Sequence, residues 1–329
     1  MDYNYSHLIP LIKKTGSELS PKDFQSAINV IFHDVEAKYY DSLHSGMWNS
    51  LQEQVNLLVD DLMASRQFNA STLSLIDVGC GTGLSTQLLM NSKLGQYINH
   101  ITLLDTSPNM LKQAGTRSKE WNKNVDLVNS SIMGATNKYD IVLVCSVLHH
   151  VPDLAQFFKQ VDHIQNSGGI LIHLNDSNGD YLKDAEYVKR IAEYAAQDKR
   201  SLLKRKLVRL IPPGIKHFLN KKFRTEPYID EVNDILIKEK IIKKRLLAGE
   251  IWSVTDIHVE ELPYSTQVGI SFKFLKECLS NYEPITRRSY GFYGLLKSEL
   301  TSHFQELESM HIHNKKLNGR LLSAVWIKK

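Results

Sequence analysis

The sequence predicts an α/β protein built on a doubly wound, mostly parallel β-sheet. Between residues 73 and 176, short apolar runs typical of buried strands alternate with segments of helical periodicity. Helix-start signals follow the runs, as at Ser107-Pro108, where a serine cap precedes a proline suited to the first helical turn. Because parallel strands are joined by helical crossovers, this alternation places helices on both faces of the sheet.

Five strand-like runs precede residue 177. In chain order they read LSLIDV, ITLLDTS, VDLVNSS, YDIVLVCSV and ILIHLND. The intervening helices begin at LSTQLLM, SPNMLKQAG and PDLAQFFKQVDHI, and we expect Pro152 in the first turn of the last one. Beyond residue 245, we predict a helix in VGISFKFLKECLSNYE, another near residues 294–309, and a closing strand in RLLSAVWIKK that completes the sheet.

Four regions are predicted along the chain. They are an N-terminal helical lid over residues 1–65, a ligand-binding core over residues 66–178, a basic helical insertion or cap over residues 179–265, and the C-terminal part of the core sheet over residues 266–329. In the lid, Ser20-Pro21 predicts one helix start. A second lid helix begins near residue 47, and the cap follows the fifth strand.

Charge is unevenly distributed along the chain. The 329 residues contain 40 Lys and Arg against 36 Asp and Glu, a net charge of +4. Residues 189–245 alone contain 17 Lys and Arg against 7 Asp and Glu, a net charge of +10, so the remainder is acidic at −6. Within this basic segment, Leu203, Leu207, Leu210 and Ile211 fall on one helical face, opposite basic residues.

Such a basic amphipathic helix has several possible partners. We favour a solvated helix that covers the sheet, but it can also cover a pocket, pair with another subunit, lie on an anionic membrane or bind RNA. Aromatic residues are sparse in the segment, so nucleic acid is not an expected partner. An acidic carrier protein or an anionic small molecule is compatible with the charge, and the sequence leaves the oligomeric state open.

Composition excludes several classes of protein. With 42% hydrophobic residues, the chain is neither disordered nor collagen-like. Its cysteines, Cys80, Cys145 and Cys278, show no metal-ligand spacing, and their scarcity suits a reducing compartment. The N-terminus lacks the pattern of a signal peptide, and no run of 18 apolar residues is present. We therefore expect a soluble cytoplasmic protein with no transmembrane segment and no metal site.

The most informative motif is DVGCGTG, which directly follows the first strand. Glycines at positions 79, 81 and 83 let the chain turn sharply into a helix while its backbone approaches a ligand. The spacing is neither the G-x-G-x-x-G of dinucleotide-binding sites nor the G-K-[ST] ending of a phosphate loop. Asp105 ends the second strand, where a carboxylate can accept both hydroxyls of a ribose. The alternative is a tight turn, with Asp105 capping the next helix.

These segments together resemble the class I S-adenosylmethionine-dependent methyltransferases. IDVGCGTG matches the first motif of that family, and LLDTSPNML and YDIVLVCSVLHHVPD extend the likeness in the right order over about residues 73–176. The resemblance implies a seven-stranded Rossmann-like methyltransferase sheet and S-adenosylmethionine as the cofactor.

The resemblance also implies a role for each residue that matches its motifs. The glycine loop, Gly79, Gly81 and Gly83, would lie under the methionine part of the cofactor, and Asp77 would position the amino group. Asp105 would hold the ribose, with Thr106 and Met110 beside the adenine. Many members have an acid after the third strand, but here that stretch contains Ser130, Ser131 and Ile132. A serine hydroxyl or backbone groups would make the adenine contact instead.

Candidate catalytic residues follow the fourth and fifth strands. In open parallel sheets the ligand lies beyond the carboxyl ends of the strands, which points to Ser146, His149, His150, Asn175 and Asp176. A histidine can accept a proton near neutral pH, so His149 or His150 is the expected general base, and Ser146 is expected beside the cofactor. Asp176 would hold a substrate amine or cap a turn. Alternatively, these polar residues only shape the turns.

Two aromatic clusters outside the core are further candidates. In the lid, Tyr39, Tyr40, His44 and Trp48 could present aromatic faces to the sulfonium of the cofactor, Tyr39 more readily than Tyr40, or could simply pack on the sheet. In the cap, a loop-like stretch contains Trp252, Asp256, His258 and Tyr264, which could line the pocket for the methyl acceptor.

Three functions follow from this sequence. The leading hypothesis is a methyltransferase acting on an oxygen or nitrogen nucleophile of a small-molecule metabolite. The alternative is an enzyme of the same fold that makes S-adenosylmethionine react with itself, by cyclisation or lyase chemistry, and releases methylthioadenosine. A third possibility is a cofactor-binding module without catalysis. The glycine loop is compatible with all three, because each needs the same cofactor site.

Overall fold

The fold was analysed in a computed structural model that describes residues 4–43, 46–68, 72–181, 184–197, 228–258 and 269–329. Seven strands form one sheet, and they are β1 (Leu73–Val78), β2 (Ile98–Asp105), β3 (Asn124–Asn129), β4 (Tyr139–Cys145), β5 (Gln165–Ser177), β6 (Tyr282–Tyr290) and β7 (Leu321–Lys328). The strand order is β3-β2-β1-β4-β5-β7-β6. Strands β1 to β5 pair in parallel, and β7 is antiparallel to both neighbours. The predicted α/β class and mostly parallel seven-stranded sheet are confirmed.

The helices of the described residues are α1 (Ile9–Thr15), α2 (Pro21–Glu36), α3 (Tyr40–Leu43), α4 (Met47–Met63), α5 (Leu84–Met90), α6 (Pro108–Ser118), α7 (Leu154–Ile164), α8 (Ala185–Gln197), α9 (Tyr228–Lys238), α10 (Ala248–Thr255), α11 (Phe272–Cys278) and α12 (Ser302–His313). Short 3₁₀ turns occupy Tyr5–Leu8, Gly95–Tyr97, Ile132–Gly134, Leu148–His150 and Lys297–Glu299. None of the helices among these residues combines the length and the apolar character needed to cross a membrane.

Two of the predicted helix starts are confirmed and one is displaced. The Ser20 and Ser107 hydroxyls accept hydrogen bonds from the Asp23 and Met110 amides, as N-caps do. Helix α7 begins only at Leu154, because Asp153 caps it by accepting from the Gln156 amide. Pro152 therefore precedes the cap and does not lie in the first turn, where it was expected.

The two faces of the sheet are covered by different helices. In β1 and β4, consecutive side chains point to opposite faces, so Leu75 and Ile141 pack with α4, α5 and α12, whereas Ile76 and Val142 pack with α7 and α11. The fully apolar strands that the sequence showed are thus strands buried on both faces. The chain order reverses between β1 and β4, which opens a crevice at their carboxyl ends.

The helical regions divide differently from the prediction. Helix α4, predicted as part of the lid, packs on the sheet through Leu51, Val55 and Leu58. Helices α1 and α2 instead form a separate apolar cluster with α9 and α10 of the cap, in which Phe24 packs with residues such as Val232. Helices α1, α2, α9 and α10 are therefore one helical layer, since the apolar faces of the first two are buried against those of the last two. Leu203, Leu207, Leu210 and Ile211 lie outside the described residues.

The C-terminal region also differs in its boundaries. The helix predicted over residues 268–283 is observed as the shorter α11. The last two residues of the predicted range belong instead to β6, which pairs with β7 along its length. The helix predicted near residues 294–309 is α12, which begins at Ser302. The closing strand is confirmed as β7.

A buried ion pair joins α4 to the edge strand β6. Arg288 donates to both carboxylate oxygens of Asp61, at 2.8 Å and 3.0 Å, and the Thr286 hydroxyl donates at 2.6 Å. The side chains of Asp61 and Arg288 are only 17% and 6% exposed. Burial alone would raise the pKa of Asp61, but these hydrogen bonds outweigh it and lower the pKa to about 2. The carboxylate therefore remains charged at neutral pH and satisfies the buried guanidinium.

We expect Asp61→Ala to lower the free energy of unfolding by about 3 kcal/mol, because it leaves the buried Arg288 charge without its partner. Urea denaturation measures the change. The matched control is Asp60→Ala, since Asp60 pairs only with Lys93 in an exposed ion pair whose side chains are 52% and 70% accessible. Its expected cost is under about 1 kcal/mol. Equal losses in the two variants would contradict the assignment of a stabilising role to the buried pair.

Candidate functional site

A cavity of about 1070 Å³ lies at the carboxyl ends of β1, β2, β3 and β4. Its floor is formed by the glycine loop and by the turns that follow the strands, and its roof is formed by α2 and the end of α10. Its volume is at the upper end of the range for pockets that enclose a small-molecule ligand. Of the residues predicted for the site, those that line it are Tyr40, Gly79, Gly81, Asp105, Thr106, Met110, Ser130, Ser131, Ile132, Ser146, His149, His150, Asn175, Trp252 and Asp256.

The glycine loop needs glycine for two distinct reasons. Gly79, Gly81 and Gly83 all have positive φ, at 67°, 52° and 79°. A Cβ at Gly79 would lie 2.6 Å from the Val147 side chain, so the β1 and β4 turns can approach closely only without it. A Cβ at Gly81 would meet no atom within 4 Å, because this residue faces the cavity. Gly83 is a helix cap packed against α6 and does not line the cavity.

The Asp105 carboxylate joins the loops after β1 and β2. Its two oxygens accept hydrogen bonds from the Gly81 amide and the Ser107 amide, each at 2.8 Å. The cap of α6 is Ser107, so the alternative role for Asp105 as that cap is not observed. Burial raises the pKa of Asp105, although the amide hydrogen bonds oppose the shift. Each oxygen keeps a lone pair that can accept a ligand hydroxyl at the cavity wall.

Asp77 lies behind the glycine loop and is fully buried. Its Oδ2 accepts hydrogen bonds from the hydroxyls of Ser85 and Thr86, both at 2.6 Å. Its Oδ1 is buried and accepts no hydrogen bond from the described residues. Burial raises the pKa of this carboxyl to about 6. Asp77 does not line the cavity, so its predicted contact with the amino group of the cofactor stays a prediction.

The cavity wall that follows β3 contains no acid in the stretch from Ser130 to Ile132, as the sequence indicated. Ser130, Ser131 and Ile132 line the cavity there, as do Thr106 and Met110 after β2. The Ser130 hydroxyl donates to the Ser131 carbonyl at 3.0 Å, so its own proton is already used inside the loop. This wall therefore offers an apolar surface and backbone groups to a flat heterocycle.

His149 and Asp176 form a hydrogen-bonded pair. His149 Nδ1 lies 2.7 Å from Asp176 Oδ1, and the same oxygen accepts from the His149 backbone amide at 3.2 Å. Burial alone would lower the pKa of His149, but the hydrogen bond and charge of Asp176 outweigh it and raise the pKa. Asp176 is fully buried, does not line the cavity and has an Oδ2 with no hydrogen-bond partner among the described residues, so its predicted contact with a substrate amine stays a prediction. Its Oδ1 orients His149.

A second polar cluster connects the floor to the roof. His150 Nδ1 lies 2.9 Å from the Thr255 carbonyl and 3.2 Å from Asp256, and its ring contacts His33 of α2 at a centroid distance of 4.8 Å. Burial and the neighbouring His149 and His33 lower the pKa of His150 well below its usual value. As the pH falls, His149 therefore becomes protonated at a pH at which His150 is still neutral.

His149, His150 and Asp256 place potential metal-ligating atoms within 4.8 Å of one another. The sequence spacing could not reveal this group, because Asp256 belongs to the cap. The Nδ1 atoms of both histidines already have hydrogen-bond partners, Asp176 and the Thr255 carbonyl. This arrangement supports acid–base chemistry, and we assign no metal to it.

The lid aromatics are placed in the reverse of the expected order. Tyr40 lines the cavity, whereas Tyr39 stacks on Tyr228 with ring centroids 6.0 Å apart and does not line it. The reason is that Tyr39 belongs to the apolar cluster between lid and cap. Trp48 lies under Arg117, away from the cavity wall. His44 lies outside the described residues.

The cap candidates are only partly brought to the site. Trp252 and Asp256 line the cavity. His258 lies behind its wall, where its Nε2 is 2.7 Å from the Val151 carbonyl. Tyr264 lies outside the described residues.

Sequence reasoning missed the polar face of α2. Gln25, Asn29, His33 and Glu36 line the cavity roof. They recur at intervals of three and four residues, on the face next to the apolar stripe that includes Phe24 and Ile28. A search for polar residues at helical spacing, like the one made for apolar residues, would have identified this face.

The central part of the chain matches a known domain family. Residues 76–173 match the family model for a methyltransferase domain, a segment that includes the glycine loop, Asp105 and His149. The predicted resemblance is thereby confirmed for this segment, which is a methyltransferase domain with the fold and the cofactor type that the motifs indicate.

Similar proteins contain this domain in different contexts. Over 150 residues the chain is 27% identical to a ubiquinone biosynthesis O-methyltransferase of Rickettsia akari (strain Hartford), covering 42% of this chain and 58% of that enzyme. Over 160 residues it is 27% identical to the highly reducing polyketide synthase aurA of Calcarisporium arbuscula, covering 46% of this chain and 6% of the synthase. The chain thus spans less than two thirds of either relative. A magnesium protoporphyrin IX methyltransferase structure from Synechocystis PCC 6803, with bound SAH, aligns over 93% of this chain and 100% of that one at 11% identity and a TM-score of 0.48.

We expect Gly81→Val to weaken S-adenosylhomocysteine binding by at least about 100-fold, because the new side chain would occupy the cavity floor. The matched control is Gly168→Val. Gly168 also has positive φ, 75°, and an unobstructed Cβ position, but it does not line the cavity. Both variants lose about 1–2 kcal/mol of stability from the strained backbone. Calorimetric titration measures binding, and equal affinities in the two variants would show that the cavity floor is not the ligand site.

Proposed function

We propose that the protein transfers the methyl group of S-adenosylmethionine to an oxygen or nitrogen nucleophile of a small-molecule metabolite. The observation that supports this best is the His149–Asp176 pair, whose histidine lines the same cavity as the glycine loop and Asp105. A general base beside a cofactor site is what methyl transfer to a protonated nucleophile requires.

The described residues fit the cofactor at each of its ends. Gly81 leaves space at the cavity floor, Asp105 offers acceptors for the ribose hydroxyls, and the unpartnered Asp77 Oδ1 suits the ammonium group. Thr106 and Met110 would lie beside the adenine, with Ser130, Ser131 and Ile132 opposite. When bound, S-adenosylmethionine supplies a methyl group activated by its positively charged sulfur. Tyr40 lines the same cavity, and its aromatic ring would attract the positively charged sulfur.

The mechanism assigns a distinct role to each member of the histidine–aspartate pair. With its Nδ1–H donating to Asp176, His149 carries its lone pair on Nε2, where it can accept a proton from the nucleophile. The charge of Asp176 stabilises the imidazolium that forms. Asp176 is therefore a positioning residue, and His149 is our choice between the two predicted bases, because His150 has a lowered pKa and binds the Thr255 carbonyl through Nδ1.

A hydroxyl acceptor agrees best with this arrangement. A neutral amine already has a free lone pair, whereas a hydroxyl becomes a strong nucleophile only when its proton is removed. The roof of α2 and α10 covers the cavity and limits the access of water, which would compete as a nucleophile. An acceptor presented by an acidic carrier protein is a further possibility, supported by the likeness to a domain of polyketide synthases.

Product analysis by mass spectrometry separates the candidate functions. The purified chain is incubated with S-adenosylmethionine alone and then with phenolic, enolic and amine acceptors. We expect S-adenosylhomocysteine to appear only when an acceptor is present. Methylthioadenosine formed without an acceptor would support self-reaction of the cofactor, and binding without turnover would support a non-catalytic module.

We expect kcat/KM to fall as the pH decreases through the pKa of His149, because only the neutral imidazole accepts a proton. That pKa is raised by Asp176, so Asp176→Asn should move this limb of the profile to lower pH and reduce the maximum by about 10²-fold or more. Initial rates of S-adenosylhomocysteine release from about pH 5 to about pH 9 provide the profile. Unchanged S-adenosylhomocysteine affinity is the control for intact folding. A profile that does not move in Asp176→Asn would contradict the role of the pair.

A further inference from the structure

Three side chains from different strand ends form a hydrogen-bonded series at the cavity floor. The Tyr290 hydroxyl donates to Asn175 Oδ1 at 2.7 Å, and Asn175 Nδ2 donates to Ser146 Oγ at 2.5 Å. Ser146 and Asn175 line the cavity, whereas Tyr290 is buried in the core beneath it. The series therefore connects β6, near the C-terminus of the chain, with the turn after β4.

The backbone at this point is in a conformation that non-glycine residues rarely adopt. Ser146 and Asn175 have φ values of 57° and 66°, although neither is glycine. The two residues lie at the ends of adjacent parallel strands, where the Ser146 amide also donates to the Leu174 carbonyl at 3.0 Å. Unfavourable conformations of this kind persist where surrounding contacts determine them, and they concentrate at ligand sites. The conformation keeps both polar side chains together at the floor.

The direction of the hydrogen bonds decides what Ser146 offers a ligand. Burial raises the pKa of Tyr290 well above its usual value, so the phenol keeps its proton and donates it to Asn175. The Asn175 amide is thereby oriented with its NH₂ toward Ser146. Because Ser146 Oγ accepts that bond, its own proton remains available to an acceptor. Cys145 Sγ lies 3.9 Å away but is a weak acceptor, so a ligand oxygen in the cavity would take the proton in preference.

The order of strands indicates which part of a ligand this donor would meet. The adenine and ribose contacts of the proposed function lie after β3 and β2, so the amino-acid end of the cofactor would lie toward β1 and β4. Its carboxylate needs donors there, and Lys22 is the one lysine or arginine among the described residues that line the cavity. A neutral hydroxyl held in one orientation meets that need.

We infer that Tyr290 and Asn175 are positioning residues that hold the Ser146 hydroxyl as a hydrogen-bond donor to the carboxylate of the bound cofactor. The inference rests on the proposed function. In Tyr290→Phe, the Asn175 Oδ1 loses its donor, and rotation of the amide would let the Ser146 hydroxyl satisfy it. The Ser146 proton would then point away from the cavity, so a change in the buried core would remove a donor from the site.

Calorimetric titration of the full chain with S-adenosylhomocysteine tests this inference. We expect Tyr290→Phe and Ser146→Ala each to weaken binding by about 10- to 150-fold, as loss of one hydrogen bond to a charged group does. The double variant should be no weaker than either single one, since both changes remove the same donor. 5′-Methylthioadenosine, which lacks the amino-acid end, should bind the wild type and Tyr290→Phe equally.

Tyr282→Phe is the matched control. Tyr282 lies in the same strand, is 5% exposed, and donates from its hydroxyl to Gln165 at 2.7 Å, away from the cavity. We expect both tyrosine variants to lose similar thermal stability, but only Tyr290→Phe to lose affinity. Equal affinities in the two tyrosine variants, additive losses in the double variant, or an equal loss of methylthioadenosine binding would each overturn the inference. If the wild type itself does not bind S-adenosylhomocysteine, the proposed function fails and this inference with it.

Discussion

The arrangement of the site depends on the two hydrogen bonds that the Asp105 carboxylate accepts from backbone amides. One comes from Gly81 after β1 and the other from Ser107 after β2, so a single side chain sets the spacing of two adjacent strand-end loops. Because the Gly79 backbone also lies against Val147 after β4, a third loop is held in place by the same turn. The floor is thus set by backbone contacts that few residue types permit.

The packing of the helical roof on the floor buries two adjacent histidines in the same turn. Burial lowers the pKa of both, but the hydrogen bond and charge of Asp176 outweigh it at His149, whereas the neighbouring His149 and His33 lower the pKa of His150 further. The difference separates a group that can accept a proton near neutral pH from one that stays neutral. Asp77 and Asp176 each keep one buried carboxylate oxygen that has no hydrogen-bond partner among the described residues.

Much of the fold and of the cofactor site could be predicted because the signals are local. Strand alternation, the glycine spacing of DVGCGTG, the Ser107 cap and the polar residues after β4 are each contained in a few consecutive residues. A turn that requires positive φ restricts its residues whatever surrounds it. These features are sufficient to identify the sheet, the methyltransferase domain and the floor residues, from Gly79 to His150.

The sequence by itself therefore determined the sheet, its glycine loop and the residues at the strand ends. Only the tertiary structure decided which side chains meet across long separations, as Tyr290 meets Asn175 and His149 meets Asp256. It also decided that Tyr40 and not Tyr39 faces the cavity, and that α1 and α2 form one layer with α9 and α10. The physical reason is that such contacts depend on how amphipathic faces pack, and periodicity shows that a face exists without showing what it covers.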